Sequence, residues 1–306
     1  MSPALKIAAV FATMNRAATA LACVRALAVQ SRPPDLVIVA DNVSNDDTVT
    51  ALEAMAALPF PLIVHRMDEN RGNAGGVKEV MEMAFAEGVD AVWILDDDSW
   101  PRAAALEAMV DGPWDPMVVR HPLQIDPRTN QFTWPLQVTD GKGGWRLISN
   151  VAELPDGECV RSRISWTGAL VSREVREAIG PVNGDLFIRG EDEEYPLRME
   201  QGGFSQEARR GAVMDHPGPQ NLVCWALLGK SFFFEPGLSD WKIYYKVRNM
   251  VWIKRKQSGN RRAILMATVY ALAAFQIDGI GRLPLIFSAA VDGWRGKLGK
   301  WQGHPS

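Results

Sequence analysis

The chain has 306 residues, 47% hydrophobic and 23% charged, with a net charge of −3. This describes a folded protein of one large domain or two modest ones; it excludes a disordered chain and gives no reason to expect a nucleic-acid partner. Cys23, Cys159 and Cys224 are widely spaced, with no CxxC pair and no zinc pattern, as fits a reducing cytoplasm.

The opening segment, Met1 to Arg16, has one lysine and a short apolar run, and is expected to be a first strand rather than a signal peptide. Short β-branched runs follow at Ile7–Phe11, Leu36–Ala40, Leu62–His65 and Ala91–Leu95. Helical patterns lie between them at Ala17–Gln30, Thr48–Ala57 and Gly75–Glu87. That alternation predicts βαβ units on a parallel sheet. Nearly every run ends in polar or acidic residues, where an open α/β sheet binds its ligand. Residues 112–165 are richer in Pro, Gly and Trp and are expected to be antiparallel strands covering one side of the sheet, with a hairpin turn at Asp140–Gly144. Ser172–Ile179 and Asp192–Gln201 read as helices, and helix resumes at Lys242 and runs to about Trp294.

The last stretch is basic: twelve Lys or Arg stand against Asp240, Asp278 and Asp292 between Asp240 and Lys300. Such a tail suits either anionic lipid headgroups or a solvated helical face. No run reaches the roughly 18 apolar residues of a spanning helix, because Ala263–Phe275 is ended by Gln276 and Asp278.

Five segments carry candidate chemistry. A strand ends at Asp41, which could accept hydrogen bonds from a base or ribose, while Asp46 or Asp47 caps the next helix. Asn70-Arg71-Gly72-Asn73-Ala74-Gly75-Gly76 could bring backbone close to a phosphate, or be a plain loop. Asp96-Asp97-Asp98 follows an apolar strand directly. Three adjacent acids are best neutralised by a cation, and carboxylates without thiols suit Mg2+ or Mn2+; the alternative is a solvated loop capping the helix at Arg102. Glu191-Asp192-Glu193-Glu194 opens a helix, where capping and proton abstraction both fit. His216 follows an apolar stretch; alone, such a histidine is usually structural.

In order and spacing these segments, with Thr13, Asn15, Arg16 and Trp166-Thr167-Gly168, resemble the family 2 inverting glycosyltransferases, nearest the bacterial rhamnosyltransferases and galactofuranosyltransferases. The resemblance covers about residues 5–256; Tyr244-Tyr245 and Arg248-Asn249 also resemble that branch. It implies a GT-A fold, a mixed, mainly parallel sheet flanked by helices. A catalytic domain over residues 1–240 would divide into a nucleotide-binding half (1–111) and an acceptor half (112–240), with a helical extension over 241–306. It further implies that Thr13, Asn15, Arg16, Asp41, Asn70, the Gly75-Gly76 turn, Asp96, Asp97 and Trp166 lie around the nucleotide-sugar. Asp96, Asp98 and His216 would hold Mn2+ or Mg2+, and Asp192, with Glu191 beside it, would be the general base.

The implied substrates are a UDP- or dTDP-sugar donor and a glycan or glycolipid acceptor, in the cytoplasm or at the inner face of the membrane. The C-terminal helices could dock on that membrane or form a homo-oligomer. A sugar nucleotidyltransferase would need a glycine-rich loop after the first strand, where this chain has Ala12-Thr13-Met14-Asn15-Arg16. A non-catalytic scaffold would have lost the acids, and a dehydrogenase would carry the dinucleotide fingerprint.

Overall fold

The computed structural model describes residues 5–163, 166–219, 222–227 and 230–305. Residues 1–4, heading the expected first strand, and 164–165, ending the expected antiparallel stretch, lie outside the described residues. The chain divides into two compact units, Met1–Asn183 with Asp192–Gly218, and Gly184–Glu191 with Pro219–Ser306.

The first unit begins with β1 (Ile7–Thr13), α1 (Ala17–Ala28), β2 (Leu36–Asp41), α2 (Thr48–Glu53), β3 (Leu62–Arg66), α3 (Gly72–Ala86) and β4 (Ala91–Ile94). These strands lie in the order β3-β2-β1-β4, all parallel. β1 and β2 are buried along their whole length, as apolar strands covered by helices on both faces must be. Ala20, Cys23, Val24 and Leu27 of α1 share one core with Ile7, Phe11, Val39 and Trp93. Fully burying a side chain of Val, Leu or Phe size stabilises by roughly 1.5–3 kcal/mol, so this core fixes where the strand tips end.

The chain continues through β5 (Trp100–Pro101), α4 (Ala105–Val110), β6 (Val118–Asp126), β7 (Gln131–Phe132), β8 (Leu136–Thr139), β9 (Trp145–Ile148), β10 (Cys159–Arg163), β11 (Leu170–Ser172), α5 (Arg173–Ile179), α6 (Glu191–Gln201) and β12 (Ser205–Asp215). The full sheet order is β3-β2-β1-β4-β11-β6-β12-β10-β8-β9. The strands of residues 112–163 therefore do not cover a face of the sheet. β11 pairs antiparallel with β4, β6 pairs with β11, and the rest extend the same sheet outward. The expected hairpin joins β8 to β9, with the Asp140 amide bonded to the Gly144 carbonyl at 3.0 Å. β12 is a strand the sequence reading did not anticipate, and it runs parallel to β6.

The second unit contains β13 (Val223–Leu227) and β14 (Lys230–Phe234), an antiparallel pair, and then α7 (Asp240–Ser258), α8 (Asn260–Asp278) and α9 (Leu283–Arg295). The expected helical stretch is divided at Gly259 and Gly279, whose φ of 85° and 81° end one helix and start the next. Tyr244, Tyr245 and Val251 of α7 bury against Ile286 and Ala289 of α9.

Candidate active site

Register places the tips of β1 and β2 side by side, Thr13 opposite Asp41. Val10 pairs with Ile94, so the acidic triplet just beyond β4 reaches the same level. Asp41 is fully buried, and its carboxylate accepts from the Ser44 amide at 3.1 Å. Asn15, at a φ of 53°, donates its amide to Ser44 Oγ at 2.8 Å, and its Oδ1 accepts from the Asn45 amide at 2.8 Å. The N-cap of α2 is Asp47, without a side-chain capping bond; Asp46, one residue earlier, accepts from the Thr48 amide at 3.0 Å.

The glycine segment departs from expectation. Gly75 and Gly76 form no turn; both are buried inside α3, which already starts at Gly72. A Cβ on Gly76 would stand 2.8 Å from Ala12 Cβ and 2.9 Å from Asn42 Nδ2. The missing side chain lets the helix approach the sheet. Asn42 pins the helix start, donating to the Gly72 carbonyl and accepting from the Arg71 amide, each at 3.2 Å. Asn70 accepts from the Gly72 amide at 2.9 Å and donates to Met14 Sδ.

The three acids face two ways. Asp97 turns to the tip of β1, where Thr13 Oγ1 donates to it at 2.8 Å and Arg16 at 2.7 Å. Asp96 accepts from Thr167 Oγ1 at 2.6 Å, and Asp98 accepts from Arg16 Nη2 at 2.8 Å. Removal from water raises Asp96, and raises Asp97 to about 6 despite Arg16 and Thr13. Burial would raise Asp98 too, but bonds to His216 and Arg16 hold it far below the usual carboxylate range.

His216, at the end of β12, completes this cluster. Its Nε2 lies 3.6 Å from Asp98 Oδ1. Its Nδ1 lies 3.1 Å from Gln124 Oε1, and Gln124 Nε2 donates to the Thr167 carbonyl at 2.9 Å. Gln124 must therefore accept from His216 Nδ1–H, which leaves the Nε2 lone pair facing Asp98 when the ring is neutral. Burial alone would lower His216, yet Asp96 and Asp98 outweigh it and raise it, so the local field favours a cation. Ligand atoms of Asp96, Asp98 and His216 all lie within 4.8 Å of one another. Two carboxylates, one oriented imidazole and a partner fixing that imidazole fit a divalent ion.

Asp192 is exposed in the first turn of α6, whereas Glu191 is 4% exposed. The charge of Asp192 is felt at Asp96. Trp166 is buried, edge-on to Tyr195 of α6 with ring centroids 6.0 Å apart. Its Nε1 is buried and has no hydrogen-bond partner among the described residues. The structure thus brings Thr13, Arg16, Asp96, Asp97, Asp98 and His216 into direct contact, and gathers Asn15 and Asp41 beside them. Sequence reasoning missed Gln124 and Asn42. Neither has a local signal, and each acts through a partner distant in sequence.

A sequence model of the glycosyl transferase family 2 matches residues 9–177, from β1 into α5. The chain is 27% identical over 214 residues to galactofuranosyltransferase GlfT1 of Mycolicibacterium smegmatis, covering 65% of this chain and 66% of the relative. It is 28% identical over 209 residues to GlfT1 of Mycobacterium tuberculosis, covering 62% and 63%. It therefore spans just under two thirds of those relatives. Two solved structures are similar. GalNAc-T7 with UDP, GalNAc and Mn2+ has a TM-score of 0.59 at 15% identity over 95% of this chain and 55% of that one. The mannosyltransferase PcManGT from Pyrobaculum calidifontis, with GDP-Man and Mn2+, has a TM-score of 0.56 at 18% identity over 96% and 76%. At these identities the likeness is one of fold, the GT-A arrangement that the motif order implied. With more than half of its length matched, across the strand tips and the acidic cluster, the chain belongs to glycosyl transferase family 2.

Proposed function

We propose that this chain is an inverting glycosyltransferase. It moves galactofuranose, rhamnose or a similar hexose from a UDP- or dTDP-sugar to a hydroxyl of a glycan or glycolipid, in cell-surface polysaccharide synthesis. The convergence of Asp96, Asp98 and His216 carries the reading. The relatives named galactofuranosyltransferase and the fold neighbours solved with nucleotides and Mn2+ support it.

Residues 1–111 hold the nucleotide and 112–240 serve the acceptor. Asp41, Asn15, Thr13 and Asn70 surround the nucleoside. Arg16, tied to Asp97 and Asp98, keeps the acidic loop in place. Bound by Asp96, Asp98 and His216, Mn2+ or Mg2+ would neutralise the diphosphate of the leaving nucleotide. An imidazole among the ligands favours Mn2+. Asp192, the exposed member of its pair, accepts the proton of the acceptor hydroxyl as that oxygen attacks the anomeric carbon; the nucleoside diphosphate departs on the opposite face and the configuration inverts. Glu191 is too buried for that contact. Trp166, buried edge-on to Tyr195, shapes the donor pocket from beneath.

The test is release of nucleoside diphosphate from UDP- and dTDP-sugars with Mn2+ or Mg2+, beside Asp98→Ala and Asp192→Ala. Asp98→Ala should lose metal-dependent nucleotide binding. Asp192→Ala should keep binding and lose turnover by about a hundredfold or more. Absence of any metal-dependent nucleotide binding would overturn the proposal.

We also assign the exposed apolar side chains of the second unit's C-terminal helices to an anionic membrane surface. Ile264, Leu272 and Phe275 of α8, Ile280 in the turn that follows it and Phe287 of α9 are exposed, Ile280 and Phe287 by 74% and 72%. Exposed Arg261 and Arg262 adjoin them, while Asp240 and Asp278 are both paired to Arg282. Among the described residues no helix is long and apolar enough to cross a membrane, so contact would be interfacial. Flotation with vesicles of anionic phospholipid should carry the protein up, and Ile280→Asp with Phe287→Asp should leave it behind. Wild-type protein that stays in the soluble fraction, or that forms a dimer broken by the same changes, would refute the membrane assignment.

A further inference from the structure

The segment leading into α6 is strained. Phe187 and Arg189 have φ of 66° and 62°, and Gly190 has 129°. Positive φ at two non-glycine residues is costly and persists only where surroundings impose it. Here they are imposed by one dipeptide of α7, in the same compact unit as residues 184–191. Asn249 Nδ2 donates to the carbonyls of Leu186 at 2.9 Å, Ile188 at 3.0 Å and Arg189 at 2.6 Å. Arg248 Nε holds that amide in place by donating to Asn249 Oδ1 at 2.8 Å, and its Nη2 donates to Leu186 at 3.0 Å.

Both side chains are fully buried, 1% and 0% exposed. A guanidinium withdrawn from water is expensive to keep, and burial lowers its pKa. It also donates to the Gly299 carbonyl at 2.6 Å and lies over the face of Tyr245 at 4.8 Å. The strained segment is gripped from its side chains as well. The Phe187 ring stacks on Tyr245, centroids 5.0 Å apart, and Arg189 pairs with Glu235 at 2.8 Å. Nor can position 190 carry a side chain: a Cβ there would stand 2.9 Å from Asn249 Cβ.

We infer that Arg248 and Asn249 are positioning residues for Asp192. They fix the backbone of residues 186–190, and the chain passes from there through Glu191 directly to Asp192, so the covalent lead into Asp192 has one conformation. A carboxylate that must meet an acceptor hydroxyl gains from a fixed origin, since small misplacement of a reacting group costs orders of magnitude in rate. This rests on the reading of Asp192 as the general base.

The test uses the full chain and the variants Asn249→Ala and Arg248→Lys, with two readouts. Amide hydrogen exchange needs no substrate. Exchange across 186–192 should quicken about tenfold or more in Asn249→Ala while the amides of Asp96–Asp98 stay protected. UDP release from UDP-galactofuranose with Mn2+ should fall about tenfold or more, with affinity for UDP and Mn2+ unchanged within about twofold. In an Asp192→Ala background the same Asn249 change should cost less than about twofold, because the group it positions is gone. Arg248→Lys should fall between wild type and Asn249→Ala in both readouts. Should Asn249→Ala fail to fold, Arg189→Gly loosens the same segment without touching α7, and the same pattern is expected. Unaltered exchange at 186–192, equal loss in both backgrounds, or UDP affinity falling in step with turnover would overturn the inference. Wild-type release by Asp192→Ala would instead remove the base assignment beneath it, whatever the exchange shows.

Discussion

His121 offers a pH test of the sheet that carries the site. It lies on β6, 1% exposed, opposite Ala208 of β12. Its Nδ1 lies 3.0 Å from the Pro122 carbonyl and its Nε2 lies 2.6 Å from Ser162 Oγ. A carbonyl can only accept, so Nδ1 carries the proton and Nε2 accepts from the Ser162 hydroxyl. Burial pushes the imidazole from 6.5 down to about 4. The folded-state pKa is depressed, so the stability linked to it is whole above pH 6.5. It is lost as pH falls, because the unfolded chain takes up the proton first. The shift from 6.5 to about 4, at about 1.4 kcal/mol per pH unit, amounts to about 3.5 kcal/mol, most of it lost between pH 6.5 and pH 4. Asp97, raised to about 6, works in the opposite sense over the same window, since the folded state keeps its proton where the unfolded carboxyl has given it up. Raw stability curves would therefore understate the effect. The measurement is the difference between wild type and His121→Gln, in urea unfolding followed by tryptophan fluorescence. From pH 6.5 to 5, wild type should lose about 2 kcal/mol more than the variant. Parallel curves would refute the reasoning, because every other titrating group is common to both proteins.

Gln124→Leu should weaken Mn2+ binding by about 10- to 100-fold, by freeing His216 from the bond that sets its tautomer; titration calorimetry in the presence of UDP measures it, and unaltered affinity would remove Gln124 from the site. Gly76→Val should destabilise the fold by about 1–3 kcal/mol or more, because its Cβ meets Ala12 and Asn42 at 2.8 and 2.9 Å; a midpoint of unfolding equal to that of wild type would show that α3 can move away. Thr167→Val should raise the pKa of Asp96 further by removing the hydroxyl that stabilises its charge at 2.6 Å; carboxyl titration by isotope-edited infrared spectroscopy would read it, and no upward movement would refute it.

What the sequence made legible has a common physical basis. The parallel strands and their helices are written in apolar periodicity over a dozen residues at a time, and a strand that ends in an acid places that acid at the ligand edge through topology alone. Asp41 and Asp96–Asp98 were readable for that reason. His216 was not readable from its neighbours and entered only through the order of motifs. Its partner Gln124 is 92 residues away, in a polar position of a strand that looks ordinary until β6 is paired with β12. The same pairing explains why residues 112–163 were read as a separate layer. Alternation marks a half-buried strand but does not say which strand lies beside it. Gly75 and Gly76 show the converse limit. Two glycines permit a turn, but they equally permit a helix to lie against a sheet, and only the 2.8 Å space above Ala12 decides between them. Asn249 lies sixty residues from the carbonyl of Arg189 that it holds. The acids from Glu191 to Glu194 were visible as letters; the positive φ of Phe187 and Arg189 just before them, and the donors from α7 that hold those residues, become legible only in the fold.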